Sequence, residues 1–102
     1  MAETGFSRVW VSPTAMHRFR ERVDASLSDD EIIALLNDAC RNPVSMKRSV
    51  RDDGQPAVTV RVKHQVYRQR IYEYRCVVVP PESPDGFPVV ATTLQGSWRQ
   101  QR

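Results

Sequence analysis

Two histidines, His17 and His64, and a series of arginines from Arg61 to Arg75 are the side chains of this chain best suited to moving protons and holding phosphate. Cleavage of RNA by its own 2′-hydroxyl needs a base for that proton, an acid for the departing 5′-oxygen, and cations for the charge that builds on the phosphorus oxygens. Histidine titrates near neutrality and suits the first two tasks. Arginine meets phosphate through a planar fork of two hydrogen bonds. On that chemistry His64, His17 and Arg70 form the candidate catalytic set. Arg18, Arg22, Arg61, Lys63, Arg68 and Arg75 are the candidate phosphate contacts, and Tyr72 and Tyr74 are candidates to stack a base or donate a hydrogen bond. Each has an ordinary alternative: an idle exposed histidine, a tyrosine packed on its cross-strand neighbour, an arginine paired with Glu73.

Other chemistries find no support. His17, Cys40, His64 and Cys76 show none of the close paired spacing of zinc sites, so neither a metal nor another cofactor is expected. The four glycines form no phosphate-cradling loop, and no Gly-x-Ser-x-Gly elbow is present. The acids at Asp29-Asp-Glu31 are accounted for by helix capping, and Asp52-Asp53 by turn chemistry.

The cations are unevenly spread. Residues 1–43 hold five Arg against seven acids, whereas residues 44–102 hold ten Lys and Arg against five. Between Lys47 and Arg75 the basic residues alternate with apolar ones, which predicts one strongly positive sheet face. A solvated face kept soluble by charge is the plainer reading of the same pattern.

The elements that must carry these residues are legible in outline. Arg8-Val-Trp-Val11 has strand character, and Ser12-Pro13 reads as a cap followed by proline at the first helical position. Ala15, Met16, Phe19 and Val23 then recur at helical spacing. Ser28 with Glu31 is a capping box opening a second helix, whose predicted apolar face is Ile32, Ile33, Leu36, Ala39 and Cys40 and which ends at Asn42-Pro43. After a turn at Asp52-Asp-Gly-Gln-Pro56 the period changes: Val58, Val60 and Val62 alternate with Thr59, Arg61 and Lys63. Ile71 to Val79 is a second strand, Pro80 to Gly86 a loop, and Pro88 to Leu94 a returning strand that ends near Trp98. Gln65 to Gln69 fits either a turn or a continued strand. The order predicts an α+β fold, with two N-terminal helices packed on one face of an antiparallel sheet of about four strands. At 102 residues, 40% apolar and 26% charged, the chain suits one domain, with residues 1–7 and 99–102 expected to be mobile.

The run Ser12-x-x-Ala15-x-His17-Arg18-Phe19-x-Glu21-Arg22-Val23, the Ser28-x-x-Glu31 helix start and Val89-Val-Ala-Thr-Thr-Leu94 with a late Trp98 resemble a group of small bacterial and phage proteins. Those proteins carry His-Ala-x-x-Arg-Phe-x-Glu-Arg near the N-terminus. They are similar in layout to RelE-like toxins and to the wider barnase, EndoU, colicin and RelE superfamily of ribonucleases. The resemblance spans about residues 8–98 and implies a basic, aromatic strand face that acts on RNA without a metal. One departure bears on catalysis: Thr14 stands where the group has His, and His17 lies three positions on. Only Arg18 and Arg22 carry over by motif.

Two further classes stay open: a non-catalytic nucleic-acid binder on the same face, and a protein-interaction module anchored by Trp10, Phe87 or Trp98. No apolar run approaches the roughly 20 residues of a membrane span. Met1 to Phe6 lacks the features of a secretory signal and the two cysteines suit a reducing compartment, so the expected location is cytoplasmic. An edge strand in so small a sheet makes a homodimer plausible.

Overall fold

The structure is a computed structural model that describes residues 6–81 and 86–101. The expected loop at residues 82–85 and the ends at residues 1–5 and 102 lie outside the described residues.

Both helices start where their caps require. Ser12 is extended and its Oγ accepts from the Ala15 N–H at 3.1 Å, with Pro13 following as the first residue of α1 (Pro13–Arg22). At the start of α2 (Asp29–Arg41), Ser28 Oγ accepts from the Glu31 N–H at 3.3 Å. The Glu31 carboxylate accepts in return from the Ser28 N–H at 3.1 Å. Ala15 and Phe19 are buried in α1, and Ile32, Leu35, Leu36, Ala39 and Cys40 in α2. Leu35, not the expected Ile33, completes the inward stripe; Ile33 is exposed.

The sheet is larger and less regular than its sequence pattern implies. Its six strands are β1 (Trp10–Val11), β2 (Ser45–Val50), β3 (Pro56–Tyr67), β4 (Arg70–Val79), β5 (Val89–Thr93) and β6 (Ser97–Gln100). They lie in the order β1-β5-β4-β3-β2, with β6 beside β4 at the end that β5 leaves free. The expectation of about four antiparallel strands therefore needs correcting in two ways. β1 pairs with β5 in parallel, which makes the sheet mixed, and β2 and β6 are additional strands. Arg99 and Gln100, expected to be mobile, pair with Ile71 and Arg70. β2 and β6 are strands because their main chains find a partner, while nearly every side chain in them is exposed and so shows no hydrophobic alternation.

β3 and β4 form a hairpin closed at Tyr67↔Arg70. Arg68 and Gln69 make its two-residue turn with φ of 49° and 64°, the left-handed geometry whose twist matches the flanking strands. Gln65 to Gln69 is thus strand and then turn. In the turn between β2 and β3, Gly54 at φ 84° supplies another left-handed residue.

Both helices pack on one face of the sheet. Val60, Val62, Tyr72, Tyr74, Cys76, Val78 and Val90 point inward from the strands to meet them. The Phe19 ring lies edge-on to Tyr74 at 5.1 Å and tilted against Tyr72 at 6.3 Å. Truncating so central a ring to alanine costs about 3–5 kcal/mol. Cys40 and Cys76 are free thiols within this core. Their mutual hydrogen bond and burial push the Cys76 thiol well above its usual range, so they act as small apolar groups. No helix among the described residues is long and apolar enough to cross a membrane.

Candidate functional site

Strand alternation decides which of the candidate residues share a surface. In β4, Tyr72, Tyr74, Cys76 and Val78 are buried against the helices, so Glu73 and Arg75 fall on the opposite face. In β3, Val60 and Val62 face inward and Arg61 and Lys63 outward. Arg61 and Arg75 are direct cross-strand partners on that outer face. Among the described residues, neither has a carboxylate within 4.0 Å, and neither takes part in any of the six ion pairs found there. Like charges placed opposite one another destabilise a strand pair, and among the described residues no ion pair offsets this one.

The space beside the pair is a groove. β5 ends at Thr93 and β6 begins at Ser97, both on the same edge of β4, and the three residues between them leave a gap. The Leu94 N–H donates to the Arg75 carbonyl at 2.7 Å and pins the crossing. Gly96 packs so tightly on β4 that a Cβ there would stand 2.5 Å from Tyr74 Cβ and 2.6 Å from the Glu73 carbonyl oxygen. Arg61, Glu73, Tyr74, Arg75 and Gln95 line one part of the groove, about 460 Å³. Arg75 and Gln95 are shared with a second hollow of about 660 Å³ that reaches Glu21, Arg22, Leu94 and Gly96. Arg22 is fixed there by a 2.9 Å hydrogen bond from Nη1 to the Thr93 carbonyl. The two hollows adjoin at Arg75 and Gln95, with Arg61 and Glu73 lining one and Arg22 and Glu21 the other.

His64 reaches the same face by a break in β3. Val62 pairs with Tyr74 and Gln65 with Tyr72, so Lys63 and His64 together oppose the single residue Glu73. This is a bulge, and His64 takes φ 61°, a left-handed geometry that costs a non-glycine residue roughly 1–2 kcal/mol. It also resets the alternation. Gln65 returns to the inner face, where its amide donates to the Leu35 carbonyl and its oxygen accepts from Tyr74, while Val66 is left exposed. The exposed His64 ring lies against Arg99, whose Nη2 is 3.4 and 3.5 Å from its two nitrogens.

Comparison of the chain with protein-family models, with curated proteins and with solved structures found no match. The site therefore rests on its own geometry.

That geometry divides the candidates. Arg61, Lys63, Arg75 and His64 share the outer face, and Arg22 joins them from the helix end. His17 and Arg18 stand on α1 with Glu21, at 3.3 Å and 2.8 Å, and do not line the groove. The hydrogen bond from Arg18 holds the Glu21 carboxyl below its usual range. Arg68 lies on the hairpin turn, paired with Glu31 at 3.1 Å and placed over the Tyr67 ring. His17 and His64 therefore lie on different layers of the molecule, and the expected trio of His64, His17 and Arg70 is not assembled.

Arg70, Tyr72 and Tyr74 require correction. Arg70 lies on the helix side of the sheet, donating to Asp24 at 2.6 Å and Ser26 Oγ at 2.8 Å and stacking over Trp98 at 4.0 Å. Tyr72 and Tyr74 are core residues with 0% and 2% exposure, and neither can stack a base. The Tyr72 hydroxyl donates to Asp24 at 2.7 Å and that of Tyr74 to Gln65 at 2.6 Å. Burial raises the Asp24 carboxyl, but hydrogen bonds from Ser26, Tyr72 and Arg70 outweigh it and hold the group at about 2. Burial and the Asp24 hydrogen bond push Tyr72 up to about 12. This cluster is internally satisfied and ties the α1–α2 connection to β4 and β6. Glu73, Gln95 and Arg99 belong to the outer-face site and were not among the sequence candidates. For Glu73 the signal was present, since it stands two positions from Arg75 on one strand.

Proposed function

We propose that the protein binds RNA or another nucleic acid on the outer face of the sheet, with the strand backbone of the ligand running along the groove past Arg61, Arg75 and Arg22. The single observation that carries this reading is the Arg61–Arg75 pair, directly opposed across β3 and β4 and uncompensated by any carboxylate within 4.0 Å among the described residues. A phosphate seated between two such guanidinium groups would be held by charge-assisted hydrogen bonds and would remove their repulsion. The resemblance to RelE-like toxins points the same way. With Tyr72 and Tyr74 buried, recognition rests on charge and is independent of base stacking on those rings.

Retention of labelled single-stranded RNA across a salt series tests the reading. Arg61→Ala and Arg75→Ala are each expected to weaken binding about tenfold and to lower the salt slope by roughly 0.7. Unchanged affinity in both variants would overturn it.

Cleavage is the second reading, favoured by one observation: the β3 bulge sets His64 opposite Glu73 on the face that bears the arginines. In this reading the Glu73 carboxylate takes the proton of the attacking 2′-hydroxyl and the His64 imidazolium gives one to the departing 5′-oxygen. Products ending in a 2′,3′-cyclic phosphate, lost in His64→Ala and Glu73→Gln but retained in His17→Ala, would establish it. RNA that is retained but never cut leaves the binding reading alone.

A further inference from the structure

We propose that the free edge of β2 takes up an acidic, extended peptide segment as an added strand of the sheet. Among the described residues β2 ends the strand order and pairs only with β3. Arg51 donates its N–H to the Gln55 carbonyl at 2.8 Å in register with the β2–β3 ladder. Antiparallel alternation then turns the amides of Ser45, Lys47 and Ser49 toward β3 and those of Met46, Arg48 and Val50 outward. Those outward groups are a ready template for another strand.

The edge also has side chains to select one. Val44 and Val50, 59% and 72% exposed, stand at its two ends. Between and just beyond them are Lys47, Arg48 and Arg51, none with a carboxylate within 4.0 Å among the described residues. Beside them lies an apolar hollow of about 390 Å³ lined by Phe6, Met46, Arg48, Pro56, Val58 and Pro80. An added strand would place one apolar side chain in this hollow next to Met46, and acids beside Lys47 and Arg48 on its two faces.

Charge decides the occupant. Lysine and arginine on an edge strand repel most incoming strands, and a segment carrying glutamate or aspartate is the kind such an edge admits. A second copy of this chain is disfavoured. Antiparallel pairing of two β2 strands about their middle sets Lys47 against Arg48 of the other copy, or either residue against itself. This inference is independent of the nucleic-acid reading, since it uses the sheet edge and not the Arg61–Arg75 groove.

Amide hydrogen exchange of the full chain, with a blocked peptide of alternating glutamate and valine and its lysine–valine counterpart as probes, tests the proposal. The acidic peptide is expected to slow exchange at Met46, Arg48 and Val50 roughly tenfold or more, as strand pairing does and as charge attraction alone does not. The lysine–valine peptide should leave them unchanged. Lys47→Glu combined with Arg48→Glu should reverse this preference, which keeps the test independent of any one peptide's behaviour. Three outcomes would overturn the proposal: unaltered exchange at those amides up to millimolar acidic peptide, shifts confined to Arg61 and Arg75, or protection that grows with protein concentration in the absence of peptide. The last would make a second copy the occupant.

Discussion

Arg70 and Arg75 lie five positions apart on one strand and have opposite fates. Arg70, on the helix side, is enclosed by Asp24, Ser26 and Trp98. Arg75, on the outer side, faces Arg61 and an open groove. Around Arg70 every buried polar atom has a partner, and no buried side-chain nitrogen or oxygen among the described residues is left without one. On the outer face Arg61 and Arg75 are exposed, and neither has a carboxylate within 4.0 Å among the described residues. The contrast separates cations that hold the fold together from cations left available to a ligand, a distinction that composition cannot make.

Breaking the enclosed side should have the largest effect. Asp24→Ala leaves the Arg70 guanidinium and the Tyr72 hydroxyl without their shared acceptor and is expected to destabilise the protein by about 3–5 kcal/mol in urea unfolding. A loss below about 1 kcal/mol would mean that the cluster is incidental.

The same carboxylate makes stability depend on acidity. Its folded value of about 2 lies below the ordinary 3.8, so its contribution is complete above pH 3.8 and is lost as the pH falls toward 2. The difference corresponds to about 2 kcal/mol. Unfolding free energies measured across that interval should fall by this amount, and Asp24→Asn should flatten the profile.

A smaller gain is expected at the hairpin. Gln69 holds φ 64° with a side chain, and Gln69→Gly should stabilise by about 1 kcal/mol in the same assay. Its main-chain carbonyl, which accepts from the Gln101 N–H at 2.8 Å, survives the change.

The outer pair should have the smallest effect on stability and a large one on binding. Arg61→Glu turns the opposed like charges into an attractive pair with Arg75 and should stabilise by about 0.5 kcal/mol. The same substitution should abolish retention of RNA in low salt. Destabilisation instead of gain would show that Arg61 is a supporting residue and would erase the contrast with Arg70.

Much of the fold was legible because it is written in local chemistry. Ser12-Pro13 and the Ser28–Glu31 box mark the helix starts, and the valines of β3 and β4 mark the central hairpin. β2 and β6 were hidden because an exposed strand has no side-chain pattern to read; it exists only through the neighbour that pairs with it. The outer-face arginines were also legible, since Arg61 and Arg75 alternate with buried residues on their strands. The same alternation placed Tyr72 and Tyr74 on the other side from Arg75, and it argued against grouping them. The position of His64 was not legible. A bulge adds one residue without any marker such as glycine, and every later residue in the strand changes face.

Capping, periodicity and charge act between residues close along the chain, so the order of residues alone specifies the two capped helices, the alternating central strands and the concentration of cations in the strand half. Contacts between distant segments bring Asp24 to Arg70 across 46 positions, set Arg61 opposite Arg75 with no carboxylate within 4.0 Å among the described residues, and leave a gap between β5 and β6 for a groove. These depend on strand register and on which face a residue takes, and both are set by pairing between distant segments.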